Sequence, residues 1–120
     1  MTRLSPEEKR LGEEWQADQD VLRSLRENGD NPVLARCIDV SFRASREALE
    51  KLVGCAGEYG LQVTQLVDLD RDESRLDTTI IQSTEDRAIR ALTILALRIE
   101  AEHQVEYDGW GCVPETGSLQ

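Results

Sequence analysis

Leu61-Gln62-Val63-Thr64-Gln65-Leu66-Val67-Asp68-Leu69 is followed by Asp70-Arg71-Asp72-Glu73-Ser74 and then by Arg75-Leu76-Asp77-Thr78-Thr79-Ile80. Leu61, Val63, Val67 and Leu69 fall on one parity, the signature of a half-buried strand. Leu76, Thr78 and Ile80 repeat that period on the far side. The polar run from Asp70 to Ser74 is the turn between them, so the stretch reads as a β-hairpin. A hairpin in mid-chain fixes two antiparallel strands, and the flanking segments must supply the rest of the sheet.

Upstream, Leu34, Ile38, Val40 and Phe42 share one parity, with Asp39 and Ser41 on the other. This predicts a strand from Leu34 to Phe42, and Arg36 alone breaks its pattern. Ser45 then caps a second helix with Leu49, Leu52, Val53 and Ala56 on one face. Gly54 and Gly57 weaken its end and Gly60 closes it. Downstream, Ser83 and Asp86 signal another helix start. Ala88, Leu92, Leu95, Ala96 and Ile99 form its stripe at three- and four-residue spacing. A last strand runs from Gln104 to Asp108.

Ahead of all these, Ser5-Pro6-Glu7-Glu8 is a capping box with Pro in the first turn. Leu11, Trp15, Leu22 and Leu25 follow at helical spacing beside Val21, and Asp18 and Asp20 thin the stripe. The helix stops at Asn28-Gly29-Asp30-Asn31-Pro32. The order is therefore a helix followed by βαββαβ. Two strand-helix-strand units joined by a hairpin imply an α+β, ferredoxin-like sandwich. The expected sheet is four-stranded and antiparallel, in the order 4-1-3-2, with an extra N-terminal helix over residues 5–28. Residues 1–112 read as a single domain and residues 113–120 as a flexible C-terminal tail.

The chain has 120 residues, enough for one core without disulfides or a structural metal. Twenty-four acidic side chains against 14 basic ones give a formal charge of -10. Such a chain repels phosphate backbones and suits docking on a basic partner rather than direct nucleic-acid binding. Cys37, Cys55 and Cys112 are odd in number and far apart, which fits free thiols in a reducing compartment. No apolar h-region follows the N-terminus, and no run approaches the roughly 20 residues of a membrane helix. A cytoplasmic location is expected.

The candidate catalytic and metal groups are sparse. His103, the single histidine, lies at a helix end beside Glu100 and Glu102, and no Ser or Cys has a sequence claim on it. It reads as a cation favoured by a helix C-terminus. Asp68, Asp70 and Asp72 imitate the opening of a calcium loop. Glu73 then stands where that loop needs Gly, and Thr79 where it needs a bidentate Glu, so a solvated turn is the better reading. Gly54-Cys55-Ala56-Gly57 has the shape of an RNA-binding loop but no basic residue between the glycines. No enzymatic activity, cofactor or metal is expected.

The remaining feature is Val105-Glu106-Tyr107-Asp108-Gly109-Trp110-Gly111. Two amphipathic aromatics stand beside two carboxylates at the end of the last strand, a composition suited to a partner anchor. Period two sends Val105 and Tyr107 inward and Glu106 and Asp108 outward. A Gly109-Trp110-Gly111 turn would then aim the indole outward. The rival reading of Trp110 is a lid over the chain end. Glu106, Tyr107, Asp108 and Trp110 are the expected partner-binding residues, within an acidic edge that has no Lys or Arg after Arg98.

This heptad resembles the regulator of ribonuclease E activity B family. The acidic capped helix closing on Gly29-Asp30-Asn31-Pro32 is similar to that family's opening, and Gly60-Leu61-Gln62-Val63 to its approach to the second strand. The resemblance implies a ferredoxin-like fold. It also implies a non-catalytic protein that binds and inhibits the endoribonuclease ribonuclease E. The alternative is an acidic, immunity-like module that neutralises a different basic protein.

Overall fold

The computed structural model describes residues 5–117. The elements are α1 (Pro6–Glu27), β1 (Arg36–Ala44), α2 (Arg46–Val53), β2 (Gln62–Asp68), β3 (Ser74–Gln82), α3 (Asp86–His103) and β4 (Glu106–Gly111), with one 3-10 turn over Ala56–Tyr59. Local chemistry explains most boundaries. Ser5 Oγ accepts from the Glu8 N–H at 3.1 Å while the Glu8 carboxylate reaches back to the Ser5 N–H. Ser45 Oγ caps α2 through the Ala48 N–H. Gly29 ends the first helix at φ +86° and Gly60 closes the 3-10 turn at φ +79°, conformations that suit glycine. At α3 the expected cap shifts. Glu85 is the N-cap residue and makes no side-chain cap bond. Ser83 Oγ instead accepts from the Glu85 N–H, before the helix begins.

The four strands form one antiparallel sheet in the order β2-β3-β1-β4, the order expected. All three helices lie on one face. Ile38, Val40 and Phe42 of β1 and Leu76 of β3 point into that layer, against Leu49 and Leu52 of α2 and Ile89, Leu92, Ala96 and Ile99 of α3. α1 packs beside α3 and extends the helical layer toward the β4 edge through Leu22 and Leu25. Among the described residues no helix lies on the opposite face of the sheet.

Both edge strands are bulged, which period-two reading did not anticipate. In β2 the register shifts between Val63 and Gln65. Val63 and Leu66 therefore face the core, while Val67 pairs with Arg75 on the uncovered face and Leu69 falls beyond the strand. In β4 the shift lies between Tyr107, opposite Phe42, and Trp110, opposite Val40. One residue of β1 thus faces two of β4, Asp108 and Gly109, and Gly109 has φ +98°. An extra residue in one strand restores the next side chain to the same face. β4 is consequently a strand through Gly111 rather than a strand ending at Asp108 with a turn after it.

Candidate functional site

The bulge decides where the four expected contact residues sit. Tyr107 and Trp110 both lie on the helix side of β4, and Glu106 and Asp108 are exposed. Tyr107 is 2% exposed and packs on Phe42 with ring centroids 5.9 Å apart. Its hydroxyl is buried too, and burial pushes that hydroxyl far above its usual range, with the carboxylates of Asp18 and Glu14 adding to the effect. Trp110 is half-buried against the core, and its Nε1–H donates to Asp18 Oδ1 at 2.8 Å. The outward-facing indole expected from a glycine turn is not found, because the Gly109 bulge rotates it inward. The structure thus separates the aromatic pair from the acidic pair.

Asp18, the charge that interrupts the apolar α1 stripe, is itself 2% exposed. Its other oxygen accepts from Thr93 Oγ1 of α3. Burial raises its pKa, and the two hydrogen bonds only partly offset that rise. One carboxylate therefore pins α1 to both α3 and β4.

The outer edge of β4 is also covered. The Tyr107 N–H donates to Glu100 Oε1 at 2.8 Å, and the Tyr107 carbonyl accepts from Arg10 Nη2 at 3.3 Å. Arg10 in turn bridges Glu100 and Glu14. An edge strand invites pairing by another chain unless its free amides and carbonyls are occupied. Here an ion pair between α1 and α3 occupies both groups of one residue. The edge of β4 is thereby blunted at Tyr107.

A second buried polar centre lies at the Gly29-Asp30-Asn31-Pro32 loop. Asp30 Oδ1 accepts from Arg36 Nη1 at 2.6 Å and from the Glu115 N–H at 2.8 Å; Oδ2 accepts from Thr84 Oγ1 at 2.6 Å and from Arg26 Nη1 at 3.2 Å. The Arg36 that broke the β1 parity is 7% exposed, and it also donates to the carbonyls of Leu34 and Asn31. The segment after Val113, read from the sequence as a tail, docks on this centre through Glu115, whose carbonyl accepts from the Asn31 N–H at 2.7 Å. Residues 118–120 lie outside the described residues.

His103 has neighbours that no sequence spacing announced. Its Nε2 lies 2.9 Å from the Tyr59 hydroxyl and 3.7 Å from Cys55 Sγ. Tyr59 also donates to Glu102 at 3.0 Å, and the Cys55 thiol donates to the Leu52 carbonyl at 3.6 Å. The cluster ties the 3-10 turn to the end of α3. Asp70 Oδ1 accepts from the N–H groups of Asp72 and Glu73, and Asp68 Oδ1 accepts from Ser74 and Arg46. These turn carboxylates thus serve the hairpin and its neighbour α2. Among the described residues no group of three or more His, Cys, Asp or Glu side chains is placed to hold a metal ion, and no helix is long and apolar enough to cross a membrane.

The uncovered sheet face is left to solvent by the helices. Asp77 is its hub, accepting from Ser41, Gln65 and Arg75, and those bonds outweigh burial to hold its carboxyl below the usual range. Arg43 pairs with Glu73. The two arginines of the face are thus committed to carboxylates within it. Asp39, Glu106 and Asp108 remain exposed, and none of them forms a salt bridge among the described residues.

Two comparisons agree on what the chain resembles. Residues 15–112 match the family model described as "Regulator of ribonuclease activity B". A protein of Alteromonas mediterranea bearing the same description is 29% identical over 105 residues, covering 82% of this chain and 80% of that protein. With most of the fold inside the match, from Trp15 in α1 to Cys112 just past β4, the chain belongs to the regulator of ribonuclease activity B family.

Proposed function

We propose that this protein regulates a ribonuclease by binding it, without catalysing a reaction, and that the bound enzyme is slowed. The observation that carries this reading is the uncovered face of the sheet. Three helices fill one side, and the other presents Asp39, Glu106 and Asp108 to solvent. Unpaired carboxylates at a net charge of -10 favour a cationic protein surface and disfavour RNA itself. The resemblance of the terminal heptad supports an endoribonuclease of the ribonuclease E type as the target, and with it a cytoplasmic location. Residues 1–112 act as one domain in this reading. Of the four contact residues expected from sequence, Glu106 and Asp108 belong to the contact surface. Tyr107 and Trp110 act beneath it, fixing the strand that displays them.

The test is RNA cleavage by a purified ribonuclease E-type enzyme, with and without this protein, beside a binding titration. A slower cleavage rate together with saturable binding supports the proposal. Unchanged cleavage without binding removes it and favours a different basic partner.

A further inference from the structure

The uncovered face is not uniform along its strands. At one end Arg43 and Arg75 are neutralised by Glu73 and Asp77. At the other end Cys37 of β1 pairs directly with Ile81 of β3. Ile81 is 75% exposed although β3 is a central strand. The fold gains almost nothing from an isoleucine left in water there. Gly111 pairs with Asp39, so the chain leaving β4 runs toward Cys37, and Val113 follows two residues later at 78% exposure. Cys37 and Ile81 thus form a row across β1 and β3, and Val113, two residues past the last β4 pair, lies at the same end of the sheet. Single exposed apolar residues are ordinary, but a contiguous row is a feature of interaction sites.

Charge surrounds that row on one side. Asp39 is the next outward residue of β1 after Cys37, opposite Thr79 and Gly111. Asp108 and Glu106 continue the acidic rim along β4. An apolar centre with a charged rim is the anatomy of a protein interface, and a rim of one sign selects a partner of the other.

We infer that this end of the open face seats a short cationic segment of the ribonuclease. An apolar side chain of that segment covers Cys37, Ile81 and Val113, and its Lys or Arg side chains face Asp39 and Asp108. The inference rests on the reading that the chain binds a ribonuclease, and it adds the location and the chemistry of the contact.

The test uses the full chain, a purified ribonuclease E-type enzyme and overlapping synthetic peptides covering that enzyme's sequence. Ile81→Asn and Val113→Asn replace exposed side chains, so both variants fold, as melting curves check. Each is expected to weaken binding about tenfold. Asp39→Asn flattens the salt dependence of binding. Cys37 supplies an independent footprint: its alkylation by iodoacetamide, read by mass spectrometry, slows when the enzyme is bound, while half-buried Cys55, beside His103 and away from this surface, serves as the reference. Peptides that bind carry net positive charge and a large apolar residue. Wild-type binding with undiminished affinity in the variants and an unprotected Cys37 overturns the surface and leaves the ribonuclease reading standing. Selection of neutral or acidic peptides overturns the partner chemistry. Failure of the wild-type chain to bind the enzyme at all overturns both.

Discussion

The indole N–H of Trp110 donates to a carboxylate oxygen of Asp18 at 2.8 Å, joining the last strand to the first helix. The contact is half-buried, and Thr93 occupies the other oxygen. It turns an interface-like aromatic into a fastener. Trp110→Phe keeps a smaller aromatic ring in place and removes the donor. A buried hydrogen bond to a charged group contributes about 1.5–3 kcal/mol. The variant is therefore expected to lose about 2 kcal/mol in urea unfolding and to retain ribonuclease binding when folded. A folded Trp110→Phe protein that has lost binding would return Trp110 to the role of anchor.

Gly109 and Gly111 flank the same tryptophan and are not equivalent. A Cβ meets nothing within 4 Å at either position, so space does not distinguish them. Conformation does, since Gly109 alone of the pair has a positive φ, at +98°. Gly109→Ala is expected to cost about 1 kcal/mol, and Gly111→Ala to be nearly neutral. Thermal melts of the two variants measure the difference. Equal melting temperatures would mean that the bulge does not depend on glycine.

The fold was legible because period-two and period-3.6 segments alternate cleanly, and the sheet order follows from the hairpin between Leu61 and Ile80. The strand faces were less legible. Two bulges, after Val63 and after Tyr107, reset parity in the edge strands, and a bulge leaves no mark in a count of alternating residues beyond a glycine such as Gly109. The candidate site was misread for that reason: Tyr107 and Trp110 are three apart, and only the inserted residue puts them on one side. The polar residues that broke the apolar patterns, Asp18 and Arg36, proved to be buried and paired. A charge on a buried stripe signals a partner elsewhere in the chain, but its identity depends on tertiary contacts that spacing cannot specify. The meeting of Cys55, Tyr59 and His103 belongs to the same category.

Among the described residues Arg36 and Asp30 form the most enclosed ion pair, with side chains 5% and 0% exposed. Removing Arg36 takes away the closer of the two cations on Asp30 and leaves Arg26 at 3.2 Å; breaking a buried pair costs about 3–5 kcal/mol. Arg36→Met is expected to fall in that range by urea unfolding. A loss below about 1 kcal/mol would show that the remaining donors to Asp30 suffice.

The same pair sets part of the acid response. Burial opposes ionisation of Asp30, but donation from Thr84, the Glu115 N–H and Arg36 outweighs it and holds the carboxyl below its ordinary value of 3.8. A depressed carboxylate contributes stability above the unfolded-chain value and loses it as pH falls through the folded-state value. The stability gap between wild type and Asp30→Asn is therefore full at neutral pH and narrows below about pH 4. Asp18 has the opposite sign. Its raised value means that protonation favours the fold, and this contribution is lost as pH rises past the unfolded-chain value toward the raised one. Denaturant titrations of Asp30→Asn and Asp18→Asn across the acid range separate the two slopes, and parallel slopes would refute the assignment.

Glu100 is the residue on which the β4 edge depends. Burial opposes its ionisation, yet Arg10 and the Tyr107 N–H together keep its carboxyl below the usual range. Glu100→Ala removes the acceptor for the Tyr107 amide and frees the Arg10 guanidinium that covers the neighbouring carbonyl. Glu100→Gln retains an acceptor oxygen for the amide and loses only the charge. Hydrogen exchange at the Tyr107 amide is thus expected to accelerate strongly in the alanine variant and modestly in the glutamine variant. An uncovered edge also pairs more readily with other chains, so the alanine variant should self-associate at concentrations where the wild type does not. Sedimentation velocity of the three proteins provides that comparison. If exchange at Tyr107 is the same in all three, the edge is protected by its pairing with β1 and not by the ion pair between α1 and α3.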